Sequence, residues 1–169
     1  GFYYVLDRVT GAFISAEPFA EVNWAKGIDP ETGRPIVNPE AHYDHNDEAA
    51  TIKPGNGGAH NWAPMSYNPA TGLVYIPTSA GSSRTFLVEP NFVFQQGRMN
   101  TGVPRGGRGA PANPRTPASI GPAGQRGGML VAWDPIAQKE RWRTPGGGGA
   151  GGGTVTPAGN LVFQVINDG

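Results

Sequence analysis

The 169-residue sequence contains no cysteine, no excess of either charge and no long apolar run. Without cysteine, these residues offer no disulfide, no thiolate metal ligand and no covalent attachment point for a haem. The 13 basic and 13 acidic side chains cancel, so no overall field favours nucleic acid or an anionic membrane surface as a partner. No segment approaches the ~18 apolar residues that a membrane-spanning helix needs. Partners must therefore be recognised locally.

Glycine and proline are abundant, with 27 and 17 residues, which brings the composition near that of disordered chains. Aromatic and β-branched residues nevertheless form short runs, such as residues 73–76 (LVYI) and 161–164 (LVFQ), which disordered segments rarely contain. These runs predict strands with a buried face. The chain has no initiating Met and opens in the strand-like run Phe2–Leu6, so we expect the natural N terminus to lie upstream.

A turn pattern recurs four times, at residues 7–11, 29–33, 68–72 and 134–138. Each copy begins with Asp or Asn, three have Pro second, and three end on Gly. The first side chain can accept backbone N–H bonds, Pro presets φ, and the last residue takes a positive φ. Each copy adjoins short strands, as in a hairpin. Repeated hairpins at irregular spacing predict an all-β fold, namely a partial β-propeller made of several blades with loops of variable length.

The copy at Asp134 lies in residues 129–143, which are similar to the tryptophan-docking repeat of quinoprotein propellers. In that repeat Ala, Asp, Gly and Trp recur at fixed offsets, and the Trp packs between neighbouring blades. Ala132, Asp134 and Trp142 match, but Gln138 stands at the Gly position. In the copy at residues 7–11, Ser15 stands at the Trp position. The resemblance therefore implies imperfect docking in both copies.

Two segments interrupt the β pattern. Residues 98–127 carry five arginines and no acidic residue amid dense Gly and Pro, which predicts a long mobile loop. Two interpretations of this segment stay open: it docks to an acidic electron-transfer partner, or it is a solvated surface loop without such a role.

Residues 146–153 are glycine except for Ala150, and no Gly-Lys-Ser/Thr follows, which excludes a phosphate loop. We expect this run to let the backbone pass close to a bulky group.

Several acidic and histidine residues are of the types that act in catalysis or bind metals, but the sequence does not support either role for them. Residues 42–48 (HYDHNDE) are dense in potential metal ligands but share no fixed face, which favours a solvated acidic loop. Asp7 and Asp134 begin hairpin turns, where capping of the turn explains them.

The segment most informative about function is residues 54–69 (PGNGGAHNWAPMSYNP). Its glycines allow close approach, and the amide of Asn61 beside the indole of Trp62 can bond and cover a planar ligand. A buried Trp that caps a blade, with Asn61 serving a turn, explains the same residues from composition alone. With the following residues 70–77 (ATGLVYIP), this segment resembles the pyrroloquinoline-quinone-dependent alcohol dehydrogenases, including their quinohaemoprotein branch.

The resemblance continues, in the family's order, at residues 1–8, 22–29, 130–135 and 152–163. It implies that residues 1–169 are a fragment of a single propeller domain, from its C-terminal part. It also implies that Asn61 and Trp62 lie at the quinone and that Val155 approaches it. The family commonly carries Trp-Asn before the Gly-Gly-Thr, where this chain has Ala150 and Gly151, so one wall of the pocket is expected to be more open or differently filled.

The family's chemistry is oxidation of an alcohol by hydride transfer to pyrroloquinoline quinone, with Ca²⁺ or a lanthanide polarising the quinone. The family's metal ligands and catalytic Asp fall upstream, so no catalytic or metal-binding residue is assigned here. Electrons would pass to a cytochrome c, either a separate protein or a haem c domain, in a periplasmic or secreted bacterial protein. Two alternatives stay open: a propeller scaffold of the outer-membrane assembly type, and a quinoprotein relative that has lost activity.

Overall fold

A computed structural model describes residues 1–44, 48–79, 81–104, 114–123, 127–146 and 152–166. These residues form β-strands and one short 3₁₀ turn at Pro39–Ala41. No helix in these ranges is long and apolar enough to cross a membrane. The strands are β1 (Phe2–Leu6), β2 (Phe13–Pro18), β3 (Ala25–Ile28), β4 (Pro35–Val37), β5 (Ala50–Ile52), β6 (Ser66–Asn68), β7 (Leu73–Thr78), β8 (Arg84–Phe86), β9 (Met129–Asp134), β10 (Lys139–Pro145), β11 (Thr154–Val155) and β12 (Phe163–Gln164).

The centre of the structure is a four-stranded antiparallel sheet in the order β10-β9-β7-β6. The strands follow one another as a meander, except that the chain between β7 and β9 includes β8, which pairs with β5 instead. A four-stranded sheet of this kind is the blade of a β-propeller. The β1–β2 and β11–β12 hairpins pair separately. The described residues thus form one complete blade and parts of others, which confirms the partial β-propeller predicted from the sequence.

Both faces of the complete blade are buried. On one face, Tyr3 of β1 packs against a cluster of buried residues: Phe19, Ala20, Ala59, Val74, Ile76, Val131 and Trp133. On the other face, Val162 packs against Tyr75, Leu130 and Ala132. A sheet that is covered on both faces needs apolar residues at successive positions rather than at alternate ones. This explains the unbroken apolar runs of β7 and β9.

The four Asx turns adopt the expected conformation. The last residue has a φ of 73°, 67° and 69° in the first three turns and 50° at Gln138. In the second turn, Asp29 Oδ1 accepts the backbone N–H groups of Glu31 and Thr32 at 2.9 and 2.8 Å. The sequence pattern therefore predicted both the positive φ and the capping role of the first residue.

The Asp side chains of these turns make the stability of the folded protein depend on pH. Backbone N–H bonds, the strongest from the residue three positions further on, hold the pKa of Asp7, Asp29 and Asp134 below its usual value. The pKa of Asp in the unfolded chain is about 3.9. These turns therefore stabilise the folded state above that pH, and the stabilisation is lost as the pH falls through the lower pKa of the folded state. Replacing all three by Asn should keep the turns, because Asn68 begins an equivalent one, but should reduce the acid dependence of the urea midpoint. Identical pH profiles would contradict this.

The two departures from the docking repeat meet each other in space. Gln138 Nε2 donates hydrogen bonds to Ser15 Oγ at 3.0 Å and to the Pro135 carbonyl at 3.1 Å. Ser15 lies in β2, whereas Gln138 lies in the turn between β9 and β10, so the bond joins two sheets. Trp142 is 39% exposed, with its ring centroid 5.8 Å from that of Tyr75. The hydrogen bond between Gln138 and Ser15 is thus present in addition to the aromatic contact between Trp142 and Tyr75.

A double-mutant cycle would measure this link. We expect Ser15→Ala to cost about 1 kcal/mol in the presence of Gln138, and close to nothing in a Gln138→Gly background, which lacks the amide. Glycine also relieves the positive φ at this position, so Gln138→Gly alone should be nearly neutral. The four unfolding free energies give the coupling. A coupling near zero would show that the bond does not hold the sheets together.

The Arg-rich segment is attached to the body of the protein at its described C-terminal part. Ile120 and Val22 exchange two backbone hydrogen bonds of 2.7 and 2.9 Å. Arg115 donates its N–H to the Ala49 carbonyl at 2.9 Å and accepts from the Thr51 N–H at 2.8 Å. Residues 115–120 are therefore tied down rather than a simple solvated excursion. Of the five arginines in residues 98–127, the structure describes Arg98 and Arg115, whereas Arg105, Arg108 and Arg126 lie outside the described residues.

Candidate functional site

The loop of residues 57–63 is attached to the end of β7. The Ser79 N–H donates to the Ala59 carbonyl at 2.6 Å. His60 Nδ1 donates to the Pro77 carbonyl at 2.7 Å. Because these bonds reach a strand in the middle of the blade, the Gly-rich sequence is held against a rigid element.

A cavity of about 250 Å³ lies between this loop and the end of β7. Asn61 and Trp62, two of the three predicted cofactor contacts, both line it, together with His60, Pro77 and Ser79. A larger cavity of about 450 Å³ is formed by residues 89–104 and shares no lining residue with the first. The smaller cavity is the candidate site because Asn61 and Trp62 line it.

The side chains of Asn61 and Trp62 are available for contact with a ligand. Asn61 Nδ2 donates to the Gly57 carbonyl at 3.2 Å, which orients the amide and leaves Oδ1 without a hydrogen-bond partner among the described residues. Trp62 is 71% exposed. Within the described structure it is therefore not the buried blade cap of the alternative interpretation.

The glycine run of residues 146–153 allows the chain at Gly153 to pass close to Pro64, at the end of the loop of residues 57–63. A Cβ on Gly153 would lie 2.6 to 2.9 Å from three atoms of Pro64. Thr154 N–H donates to the Pro64 carbonyl at 2.9 Å. The predicted close approach of backbone is thus confirmed at Gly153. Val155 comes next and is 61% exposed, but it does not line the cavity.

Polar contacts also connect the two segments to each other. The hydroxyls of Ser66 and Thr154 share a hydrogen bond of 2.8 Å, and Asn68 Nδ2 donates to Thr156 Oγ1 at 2.8 Å. These bonds connect β6, the first strand of the complete blade, with β11. Ala150 and Gly151, where the chain departs from the family, lie outside the described residues.

The described residues contain no group of three or more His, Asp or Glu side chains that could hold a metal ion. In the histidine-rich segment, His42 Nδ1 and Asp44 Oδ1 are 3.2 Å apart, and residues 45–47 lie outside the description. Asp7 and Asp134 accept the N–H groups of their own turns, as expected from the sequence.

Sequence reasoning named Asn61 and Trp62 but passed over His60, Pro77 and Ser79. One signal was present, because His60 is a titratable residue directly before the predicted cofactor contact. Pro77 and Ser79 gave no local signal, since only the fold of the loop brings the end of β7 to the cavity.

Comparison with models of protein families finds no match. Relatives align with the entire chain: a lupanine 17-hydroxylase (cytochrome c) from a Pseudomonas species is 42% identical, and the quinohaemoprotein alcohol dehydrogenase ADH-IIG of Pseudomonas putida is 38% identical. The chain spans only 22% and 23% of their lengths. The crystal structure of the Comamonas testosteroni quinohaemoprotein alcohol dehydrogenase matches with a TM-score of 0.75 and 38% identity over 97% of this chain and 23% of that one. A europium-containing methanol dehydrogenase matches 97% of this chain and 27% of that one, with a TM-score of 0.70 and 29% identity.

A complete four-stranded blade joined to parts of others is the architecture of a β-propeller protein. The sequence identity to these relatives, which extends along the whole chain, defines the family more narrowly than the fold does. The chain belongs to the family of pyrroloquinoline-quinone-dependent alcohol dehydrogenases, and its relatives include quinohaemoprotein members of that family.

Proposed function

We propose that this chain supplies one wall of the quinone site in a dehydrogenase that oxidises small alcohols and passes the electrons to a cytochrome c. The observation that carries the proposal is the cavity where an oriented Asn61 amide lies beside an exposed Trp62 indole. Relatives along the whole chain include a 1-butanol dehydrogenase (cytochrome c) from Thauera butanivorans, of which the chain spans 23%. The activity, the substrate and the electron acceptor of the intact protein are part of this proposal.

The residues of the cavity fit a planar, polar ligand. The exposed indole of Trp62 offers a flat apolar face on which a ring system can stack. Asn61 Oδ1 has no partner among the described residues and can bond an edge of the ligand. Gly57 and Gly58 line the cavity without side chains, so a ligand can approach their backbone.

When bound, pyrroloquinoline quinone supplies a two-electron acceptor for the hydride of the alcohol. The chain's contribution is to bind and orient: Trp62 covers one ring face against water, and Asn61 fixes the edge. Asp7 and Asp134 are held by their turns and take no part in proton removal. We place the ligands of Ca²⁺ or a lanthanide, the catalytic base and any haem c outside the described residues, and the protein in the periplasm or secreted.

Reconstitution tests the function directly. The intact protein would be incubated with pyrroloquinoline quinone and either Ca²⁺ or a lanthanide, freed of unbound quinone by gel filtration, and assayed for dye-linked alcohol oxidation. We expect quinone absorbance to co-elute with the protein and an alcohol to reduce the dye. Co-elution without turnover would favour the relative that has lost activity. No quinone uptake with either metal would overturn the proposal and favour the scaffold.

Asn61→Ala should weaken quinone binding about tenfold, because an oriented hydrogen bond to a polar group is lost. The thermal midpoint should hardly change, since the side chain is exposed and bonds only the local loop. Fluorescence titration of the metal-loaded protein measures the affinity. Asn91→Ala is the matched control, because Asn91 is also exposed but lies outside the cavity. Equal affinities in the two variants would remove Asn61 from the site.

A further inference from the structure

We propose that His60 is a ligand-binding residue of the same cavity, with its Nε2 accepting a hydrogen bond from an N–H or O–H group of the bound molecule. The inference rests on the proposed function, which names two molecules that carry such donors. One is the pyrrole N–H of the quinone, and the other is the hydroxyl of the alcohol.

The hydrogen bond at Nδ1 determines the tautomer of His60. Nδ1 lies 2.7 Å from the Pro77 carbonyl oxygen. A carbonyl oxygen can only accept, so Nδ1 must carry the proton of this bond. In the neutral ring the other nitrogen, Nε2, then has a lone pair and no hydrogen. The protein therefore presents an acceptor, rather than a donor, on the outer edge of the imidazole.

Nε2 is available to a ligand. His60 is half-buried and lines the cavity, and its Nε2 makes no hydrogen bond to any described residue. Nε2 is also not among the buried polar atoms that lack a partner, so it is accessible. Oδ1 of the next residue, Asn61, is another acceptor without a partner in the described structure. Two acceptors on adjacent residues favour a ligand that presents donors.

The other polar side chains of the cavity are already engaged. Ser82 Oγ donates to the Gly58 carbonyl at 3.1 Å. Ser79 interacts within the protein through both its backbone N–H and a further contact. His60 Nε2 and Asn61 Oδ1 remain as acceptors without a hydrogen bond to a described residue.

Two substitutions separate the structural bond of His60 from its proposed bond to a ligand. In His60→Asn the amide nitrogen stands as many bonds from Cα as Nδ1 does, so the bond to Pro77 can persist while Nε2 is removed. In His60→Gln a polar atom stands as many bonds from Cα as Nε2 does, but the bond to Pro77 is lost. Thermal unfolding of the intact protein reports the first bond, and ligand affinity reports the second.

The test measures quinone affinity without substrate and then the KM of the quinone-loaded protein for an alcohol. His60→Asn should unfold like the wild type and lose about three- to tenfold in one of these two quantities, the equivalent of one net hydrogen bond. A loss of quinone affinity identifies the quinone as the donor, and a raised KM alone identifies the alcohol. His60→Gln should restore part of the loss. Wild-type values of both quantities in His60→Asn would overturn the proposal. Wild-type protein that takes up no quinone would overturn the proposed function, and this assignment with it, before any variant is compared.

Discussion

Gly153→Ala is expected to lower stability by about 1–3 kcal/mol, because a new methyl group is forced into a closed contact. Its Cβ would lie 2.6 Å from Pro64 Cδ, 2.8 Å from Pro64 O and 2.9 Å from Pro64 N. Two of these atoms are backbone and cannot rotate away. The bond of 2.9 Å between Thr154 N–H and the Pro64 carbonyl would have to lengthen.

The effect should reach the site as well as stability, since Pro64 lies two residues after Trp62. Urea unfolding and quinone affinity of the intact protein would both be measured. Gly159→Ala is the matched control, because its new methyl group would meet no described atom within 4 Å beyond its chain neighbours and its φ is ordinary. If Gly153→Ala and Gly159→Ala gave the same unfolding midpoint, the contact with Pro64 would not be closed.

Ile76→Ala is expected to cost about 2–5 kcal/mol, the usual range for an aliphatic side chain removed from a core. Ile76 is 0% exposed and belongs to the cluster that Tyr3 of β1 packs against. The lost methyl and methylene groups would leave a cavity at the contact between neighbouring sheets. The variant should therefore also become more sensitive to limited proteolysis.

Ile136→Ala is the control for this core substitution. Ile136 is 91% exposed in the turn between β9 and β10, so its truncation should change stability by no more than about 0.5 kcal/mol. Urea midpoints of the two variants give the comparison. A cost for Ile76→Ala as small as that for Ile136→Ala would contradict the buried interface between the sheets.

The features predicted well from the sequence depend on neighbouring residues. The Asx turns carry their own acceptor and their own positive-φ residue within five positions, and β1, β7 and β9 are continuous apolar runs. The strand expected at residues 161–164 is shorter, because only Phe163–Gln164 pairs. Just before this strand, Thr156 Oγ1 donates to the Leu161 carbonyl at 2.9 Å.

The features that could not be predicted join residues that are far apart in the chain. Nothing near Gln138 indicates that its amide bonds Ser15, and nothing near Gly153 indicates that Pro64 is what it must pass. The residue types of the site were recognisable at Asn61 and Trp62. The orientation of the Asn61 amide and the tautomer of His60 come only from the folded loop, since each depends on a particular carbonyl oxygen.

The excursion between β7 and β9 separates two strands that pair directly over five residue positions. The entropy of closing such a loop grows only with the logarithm of its length, by about 0.6 kcal/mol for each doubling. That is less than the free energy of burying a single methylene group. Insertions or deletions in this stretch outside β8 and residues 115–120, which bond to other parts of the protein, are therefore almost neutral for the blade. The length of those parts can vary between related chains while the four-stranded sheet stays the same.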